Sequence, residues 1–189
     1  NLDLLSNRRM FRILQGDVGS GKTIVSFITI ANVMESKYQC ALMGPTEILS
    51  YQHYKLAKKV FKNTKFQIRF LSGKTEIKEK KQILKDLEEG KIDLLIGTHA
   101  LFQNKIKFKN LGYIVIDEQH KFGVKQRLSL ALKGGKDCDV LLMSATPIPR
   151  TMTMTIYGDM DISKINEKPA SRKKIIPLTK PEKKLNDIW

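Results

Sequence analysis

Short, continuously apolar runs alternate along the chain with longer segments in which apolar residues recur at helical spacing. The runs at residues 12–15, 40–43, 66–71, 93–96, 113–116 and 140–143 are predicted strands. Several are apolar at every position, as strands covered on both faces must be. Between them, residues 23–35, 48–61 and 77–89 carry helical period. In the last of these, Ile77, Leu84 and Leu87 share a face, which leaves Lys78, Lys81 and Lys85 to solvent. This alternation predicts βαβ units, and hence an α/β fold with a mostly parallel sheet, helices on both faces and three layers in all. From Glu167 onward the pattern gives way to a stretch rich in Lys and Pro. We therefore expect a domain over residues 1–167 and a basic linker over residues 168–189.

Composition narrows the class. The chain has 189 residues, 41% hydrophobic and 28% charged, enough to bury the core of one domain or, at a stretch, of two small ones. The longest apolar stretches, such as residues 24–34, are broken by polar residues and fall short of the roughly 20 needed to cross a bilayer, so no membrane partner is expected. No basic region followed by an apolar core opens the chain, and Cys40 and Cys138 each lie in or beside an apolar run. Both features suit reduced thiols in a cytoplasmic protein. Three histidines, His53, His99 and His120, show no metal-ligand spacing. The formal net charge of +15 suits attraction to a polyanion, although 27 of the 34 cations are Lys, the ordinary solvated surface residue. Charge alone leaves nucleic acid undecided.

The motifs decide more. Gly16-Asp17-Val18-Gly19-Ser20-Gly21-Lys22-Thr23 matches G-x-x-x-x-G-K-[ST] in full, directly after a predicted strand and opening a predicted helix. Glycines let the backbone curl around a phosphate with its N–H groups, and the helix start adds the positive end of its dipole. The segment is thus expected to cradle ATP, with Lys22 reaching the β and γ phosphates and Thr23 ligating Mg²⁺. A metal held this way needs a carboxylate from the end of another apolar strand, and Tyr113-Ile-Val-Ile116-Asp117-Glu118 supplies one. Asp117 is expected to hold Mg²⁺ through its water shell, while Glu118, on the other side of the chain, polarises the attacking water. Lys22, Asp117 and Glu118 are the candidate catalytic residues. A glycine-rich turn, or a strand cap with two surface acids, would account for either motif alone.

Gln119 and His120 extend the second motif to Asp-Glu-Gln-His, and the next apolar run ends in Ser144-Ala145-Thr146-Pro147. A phosphate loop, Asp-Glu-x-His and Ser-Ala-Thr, in that order, resemble the first RecA-like domain of a superfamily 2 helicase or translocase. Finer segments narrow the match: Gly44-Pro-Thr-Glu-Ile-Leu49 with Gln52-His53, Gly97-Thr-His-Ala-Leu101, Asp117-Glu-Gln-His-Lys-Phe-Gly-Val124, Ser144-Ala-Thr-Pro-Ile-Pro-Arg-Thr151 and Tyr157-Gly-Asp-Met-Asp-Ile-Ser163. Together they are similar to the RecG family of bacterial ATP-dependent DNA helicases over nearly the whole chain.

That resemblance implies a motor domain in a protein that couples ATP hydrolysis to movement on branched or forked DNA in replication restart, recombination and repair. It implies that His120, Ser144 and Thr146 couple the ATP site to the DNA site. It also implies that the loops holding Pro45 and Thr46, and Gly97, Thr98 and His99, touch DNA phosphates. Small residues and Thr hydroxyls suit such contacts, because they donate to phosphate oxygens without reading bases. For these positions ordinary strand-to-helix turns remain the alternative, with Ser144 and Thr146 capping the turn at Pro147 and His120 a core imidazole. The implied partners besides DNA are a second RecA-like domain, which holds an arginine finger, and a wedge domain of the same full-length chain. No Gln-bearing adenine motif is seen upstream of Phe11. Two other readings stay open. One is the motor of a transcription-repair coupling translocase, from which Ser20 and Gln119 lean away. The other is a non-hydrolysing nucleic-acid-binding module, against which intact Lys22, Thr23, Asp117 and Glu118 speak.

Overall fold

Apolar runs become strands here because each has something to bury on both sides. The computed structural model describes residues 9–103, 105–118, 138–146 and 160–166. Its elements in chain order are β1 (Phe11–Gly16), α1 (Lys22–Glu35), β2 (Gln39–Met43), α2 (Glu47–Val60), β3 (Ile68–Leu71), α3 (Ile77–Glu88), β4 (Leu94–Gly97), a 3-10 turn (His99–Phe102), β5 (Leu111–Ile116), β6 (Asp139–Ser144) and β7 (Asp161–Ile165). The seven strands form one sheet in the order β3-β4-β2-β5-β6-β1-β7, and every neighbouring pair is parallel.

Side-chain alternation along each central strand feeds two separate cores. Leu14, Cys40, Leu42, Tyr113 and Val115 point to one face, where Phe27, Ile30 and Met34 of α1 and Ala57 of α2 cover them. Ile13, Ala41, Met43, Ile114 and Ile116 point to the other, where Ile83 and Leu87 of α3 pack. The predicted α/β sandwich, with helices on both faces, is therefore what forms. Cys40 and Cys138 are free and buried, and they belong to opposite cores. Burial pushes both thiols up, that of Cys138 to about 12.

Element boundaries depart from the sequence expectation where a side chain captures the backbone. Strand β3 begins at Ile68 instead of 66, because Thr64 Oγ1 accepts from Phe66 N (3.4 Å) and Asp93 Oδ2 from Gln67 N (2.7 Å). Helix α3 buries Ile83 and Leu87, whereas Ile77, in its first turn, is 77% exposed. Strand β7 was not predicted, since Asp161–Ile165 carries no apolar run. It is an edge strand held by β1, and Arg12 donates from Nη1 to Ser163 Oγ (2.8 Å) and from Nη2 to Asp161 Oδ2 (3.3 Å).

One polar side chain ties three segments together beneath the sheet. Gln39 is 4% exposed, and its Nε2 donates to Leu87 O (3.0 Å) and Ile92 O (2.8 Å). Its Oε1 accepts from Lys109 N (2.8 Å) and Asn110 N (3.0 Å). The amide thus satisfies the end of α3, the approach to β4 and the approach to β5 at once. Removing it takes this partner from Ile92 O, Lys109 N and Asn110 N, each costing about 1 kcal/mol or more when buried unpaired, while Leu87 O keeps its bond from Gly90 N (3.1 Å). Gln39→Leu is accordingly expected to lower the unfolding free energy by about 3 kcal/mol in urea denaturation. A loss below about 1 kcal/mol would show that these segments hold their places without the amide.

Candidate functional site

Because all strands are parallel, their C-terminal ends share one edge, and the connections leaving that edge carry the predicted residues. Strand β1 delivers residues 17–21, in which Gly19 and Gly21 have φ of 81° and 92°, in the left-handed region that side chains avoid. Gly21 is also the N-cap of α1, whose first turn has neither a side-chain cap nor an acidic residue. At Gly16 the constraint is space: an added Cβ would lie 2.5 Å from Ser20 Oγ and 3.2 Å from Ile165 Cβ. Lys22 folds back over the loop, and its Nζ donates to Gly16 O (2.7 Å) and Asp17 O (2.9 Å). An ammonium has three protons, so one is left for a ligand. Ser20 Oγ is buried with no partner among the described residues. A tight glycine turn, an uncapped helix start, an anchored ammonium and an unused buried hydroxyl all fit a phosphate group.

Strand β5 delivers Asp117 and Glu118. Asp117 N donates to Met43 O of β2 (2.8 Å), which fixes the end of one strand to the next. Its carboxylate is gripped on both oxygens: Oδ1 accepts from Glu118 N (3.0 Å), and Oδ2 accepts from His53 Nε2 of α2 (2.8 Å). The side chains of Asp117 and His53 are 15% and 11% exposed. Glu118 has φ of 49°, a left-handed conformation costing a non-glycine residue about 1 kcal/mol. Strain of this kind persists where surrounding contacts over-determine the backbone, and here it sets the direction in which Glu118 leaves the strand.

Strand β6 delivers Ser144, between β5 and β1. Ser144 Oγ lies 3.1 Å from Thr146 Oγ1 and accepts from Thr146 N (3.3 Å), so the two predicted coupling residues close a turn on each other. The third, His120, falls outside the described residues. Strands β2 and β4 deliver the two predicted DNA loops, which the structure stitches together. Gly97 O accepts from Gly44 N (3.0 Å) and from Ser50 Oγ (3.0 Å), and Ser50 Oγ also lies 2.8 Å from Thr46 O. Thr46 is exposed and caps α2, its Oγ1 accepting from Leu49 N (3.3 Å). Pro45 is half-buried, whereas Gly97 is buried and Thr98 is only 5% exposed. His99 opens the 3-10 turn.

Two residues with structural claims on this edge escaped motif reading. Ser50 is fully buried and joins the loops after β2 and β4. His53 was quoted within a matching segment, but nothing in the spacing of residues 53 and 117 announces that they meet. Thr23, half-buried in the first turn of α1, and Asp117 offer a hydroxyl and a carboxylate from strands two places apart. Among the described residues no group of three or more His, Cys, Asp or Glu could itself hold a metal ion. Hard oxygen donors in such small number suit Mg²⁺, which keeps water and phosphate oxygens as its other ligands.

Comparison with known proteins gives a concordant result. The DEAD/DEAH box helicase family matches residues 2–155. The ATP-dependent DNA helicase RecG of Aquifex aeolicus is 53% identical over 175 residues, which are 92% of this chain and 22% of that protein. RecG of Thermotoga maritima is 46% identical over 187 residues, 99% of this chain and 24% of that protein. A solved structure of RecG bound to a three-way DNA junction superposes with a TM-score of 0.82 at 41% identity, covering 99% of this chain and 25% of that one. The resemblance drawn from motif order is borne out. No helix among the described residues is long and apolar enough to cross a membrane.

Two substitutions separate backbone strain from packing at this edge. Glu118→Gly relieves left-handed strain of about 1–2 kcal/mol against about 0.4–1 kcal/mol of added freedom in the unfolded chain, and is expected to raise the unfolding free energy by about 0.5 kcal/mol net. Gly16→Ala forces a methyl against Ser20 and Ile165 and is expected to lower it by about 1–3 kcal/mol. Urea unfolding of both variants checks this, and a Glu118→Gly variant less stable than the parent would remove the strain.

Proposed function

The chain belongs to the DEAD/DEAH box helicase family, and from that premise we propose that it is the first RecA-like motor domain of a RecG-type DNA helicase, binding and hydrolysing ATP with Mg²⁺. It spans about a quarter of the length of the relatives it matches. Movement on branched DNA in replication restart, recombination and repair is accordingly a proposal for the whole protein, as is work alongside a second RecA-like domain and a wedge domain. Residues 1–167 form the motor unit in this proposal, and residues 168–189 lead towards the second domain. The observation that carries it is one sheet edge where a phosphate loop, closed by Lys22, stands two strands from a doubly anchored Asp117.

The roles divide by charge and position. Residues 16–21 and the start of α1 bind the phosphates through backbone N–H groups, and Lys22, held by two loop carbonyls, offers its remaining proton to phosphate oxygens. Thr23 and Asp117 would hold Mg²⁺, which supplies charge neutralisation on the transferred phosphoryl group. Glu118 accepts a proton from the attacking water. His120, Ser144 and Thr146 are assigned to coupling. On the DNA side, exposed Thr46 has a hydroxyl proton to donate beside Pro45, whereas buried Thr98 leaves its neighbourhood, with Gly97 and His99, to backbone contacts. Branched DNA as the partner is supported by the solved RecG complex with a three-way junction, and the net charge of +15 supports phosphate contacts without sequence preference.

In the full-length protein, Lys22→Ala is expected to weaken nucleotide binding at least about tenfold and abolish turnover, because Lys22 acts in both ground and transition states. Glu118→Gln is expected to retain nucleotide affinity while hydrolysis falls by about 10²- to 10⁴-fold, because Glu118 acts only on the water. Equilibrium nucleotide binding and steady-state ATPase measure both, and near parental turnover in Glu118→Gln would take the base role from that residue.

The 189-residue chain alone is expected to bind Mg·ATP yet hydrolyse it slowly. An arginine finger from a facing domain contributes about 10³ to 10⁵ in rate, or roughly 4–7 kcal/mol of barrier. A single-turnover comparison with the full-length protein on forked DNA tests this. Rates within about tenfold of one another would mean that the chain holds its own finger.

A further inference from the structure

We propose that His53 is a positioning residue for Asp117, and that α2 thereby links the strand-contact loop at Thr46 to the carboxylate on the metal side of the nucleotide site. This rests on the function proposed above, in which Asp117 serves Mg·ATP. A carboxylate can only accept, so the 2.8 Å contact has His53 Nε2–H donating to Asp117 Oδ2. With Glu118 N on Oδ1, both carboxylate oxygens are engaged, which restrains the aspartate side chain. The pair is largely withdrawn from water, where a hydrogen bond orients its partner more strongly than at the surface.

The donor comes from a different element, and that gives the contact its reach. Thr46 precedes helix α2, its hydroxyl caps it, and its carbonyl accepts from Ser50 N (2.9 Å). Ser50 in turn binds Gly97 O, in the other candidate DNA loop. Thr46 and His53 are two turns apart on one helix, about 10 Å, and Ala57 and Phe61 seat the helix end in the core. A phosphate engaged at Thr46 therefore acts on Asp117 through one rigid helix and one hydrogen bond.

The test uses the full-length protein with His53→Ala and His53→Gln. Binding of a fluorescent ADP is titrated in EDTA and against Mg²⁺, and ATPase is measured with and without forked DNA. In His53→Ala, affinity in EDTA is expected to match the parent. The Mg²⁺ needed for half-maximal tightening is expected to rise by about 10- to 100-fold, the usual cost of losing an outer partner of a metal ligand. Its DNA stimulation is expected to fall even at saturating Mg²⁺. His53→Gln, whose amide can still donate, is expected to recover part of both. A parental Mg²⁺ curve in His53→Ala, an equal loss of affinity in EDTA, or a defect that Gln does not relieve at all would each overturn the assignment. Should the parent itself show no Mg²⁺-dependent binding, the role of Asp117 fails instead, and the two failures are distinct.

Discussion

Everything chemical about this molecule depends on its strands running in one direction. A parallel sheet discharges all its strand ends at a single edge, and the backbone there is free to turn, bind or donate because it has left the ladder. With the order β3-β4-β2-β5-β6-β1-β7, that edge has a gradient of roles. Loops after β4 and β2 hold Gly97, Thr98, Pro45 and Thr46; loops after β6 and β1 hold Ser144, Thr146 and the phosphate loop. Strand β5 stands between the two groups, and it carries Asp117.

That middle position explains why Asp117 is held so firmly. Its N–H is bound to β2, one carboxylate oxygen to its own successor, and the other to α2. In the proposed role of holding a metal ion, a carboxylate acts best when it does not have to reorganise at the moment of reaction. Lys22, pinned by two loop carbonyls, and Glu118, turned out by a left-handed backbone, follow the same logic. The cost is local strain and restrained side chains, offset by two cores that include none of Lys22, Asp117 and Glu118.

Buried polar groups divide between scaffold and function in an instructive way. Gln39 spends all four of its hydrogen bonds on backbone far from the chemical edge and serves to keep strand starts in place. Ser50 does the equivalent at the chemical edge, holding together two loops whose residues are expected to meet one DNA strand. Composition would rank these two residues as ordinary polar positions. Their weight comes from what they reach across the fold.

The sheet, its helices and the two nucleotide motifs were legible from local pattern, because apolar runs and a phosphate loop act through neighbours a few residues away. Strand β7 was not, since an edge strand of polar residues is stabilised by β1 and Arg12 and not by its own hydrophobicity. The face of α3 was misread at Ile77, because periodicity says which residues share a side of a helix but not where the sheet beneath it ends. By itself the sequence determined the residue types available for binding phosphate and the order in which they emerge. Only the tertiary structure decided which of them meet, because His53 and Asp117, or Ser50 and Gly97, lie dozens of residues apart and come together only once parallel strands have packed side by side.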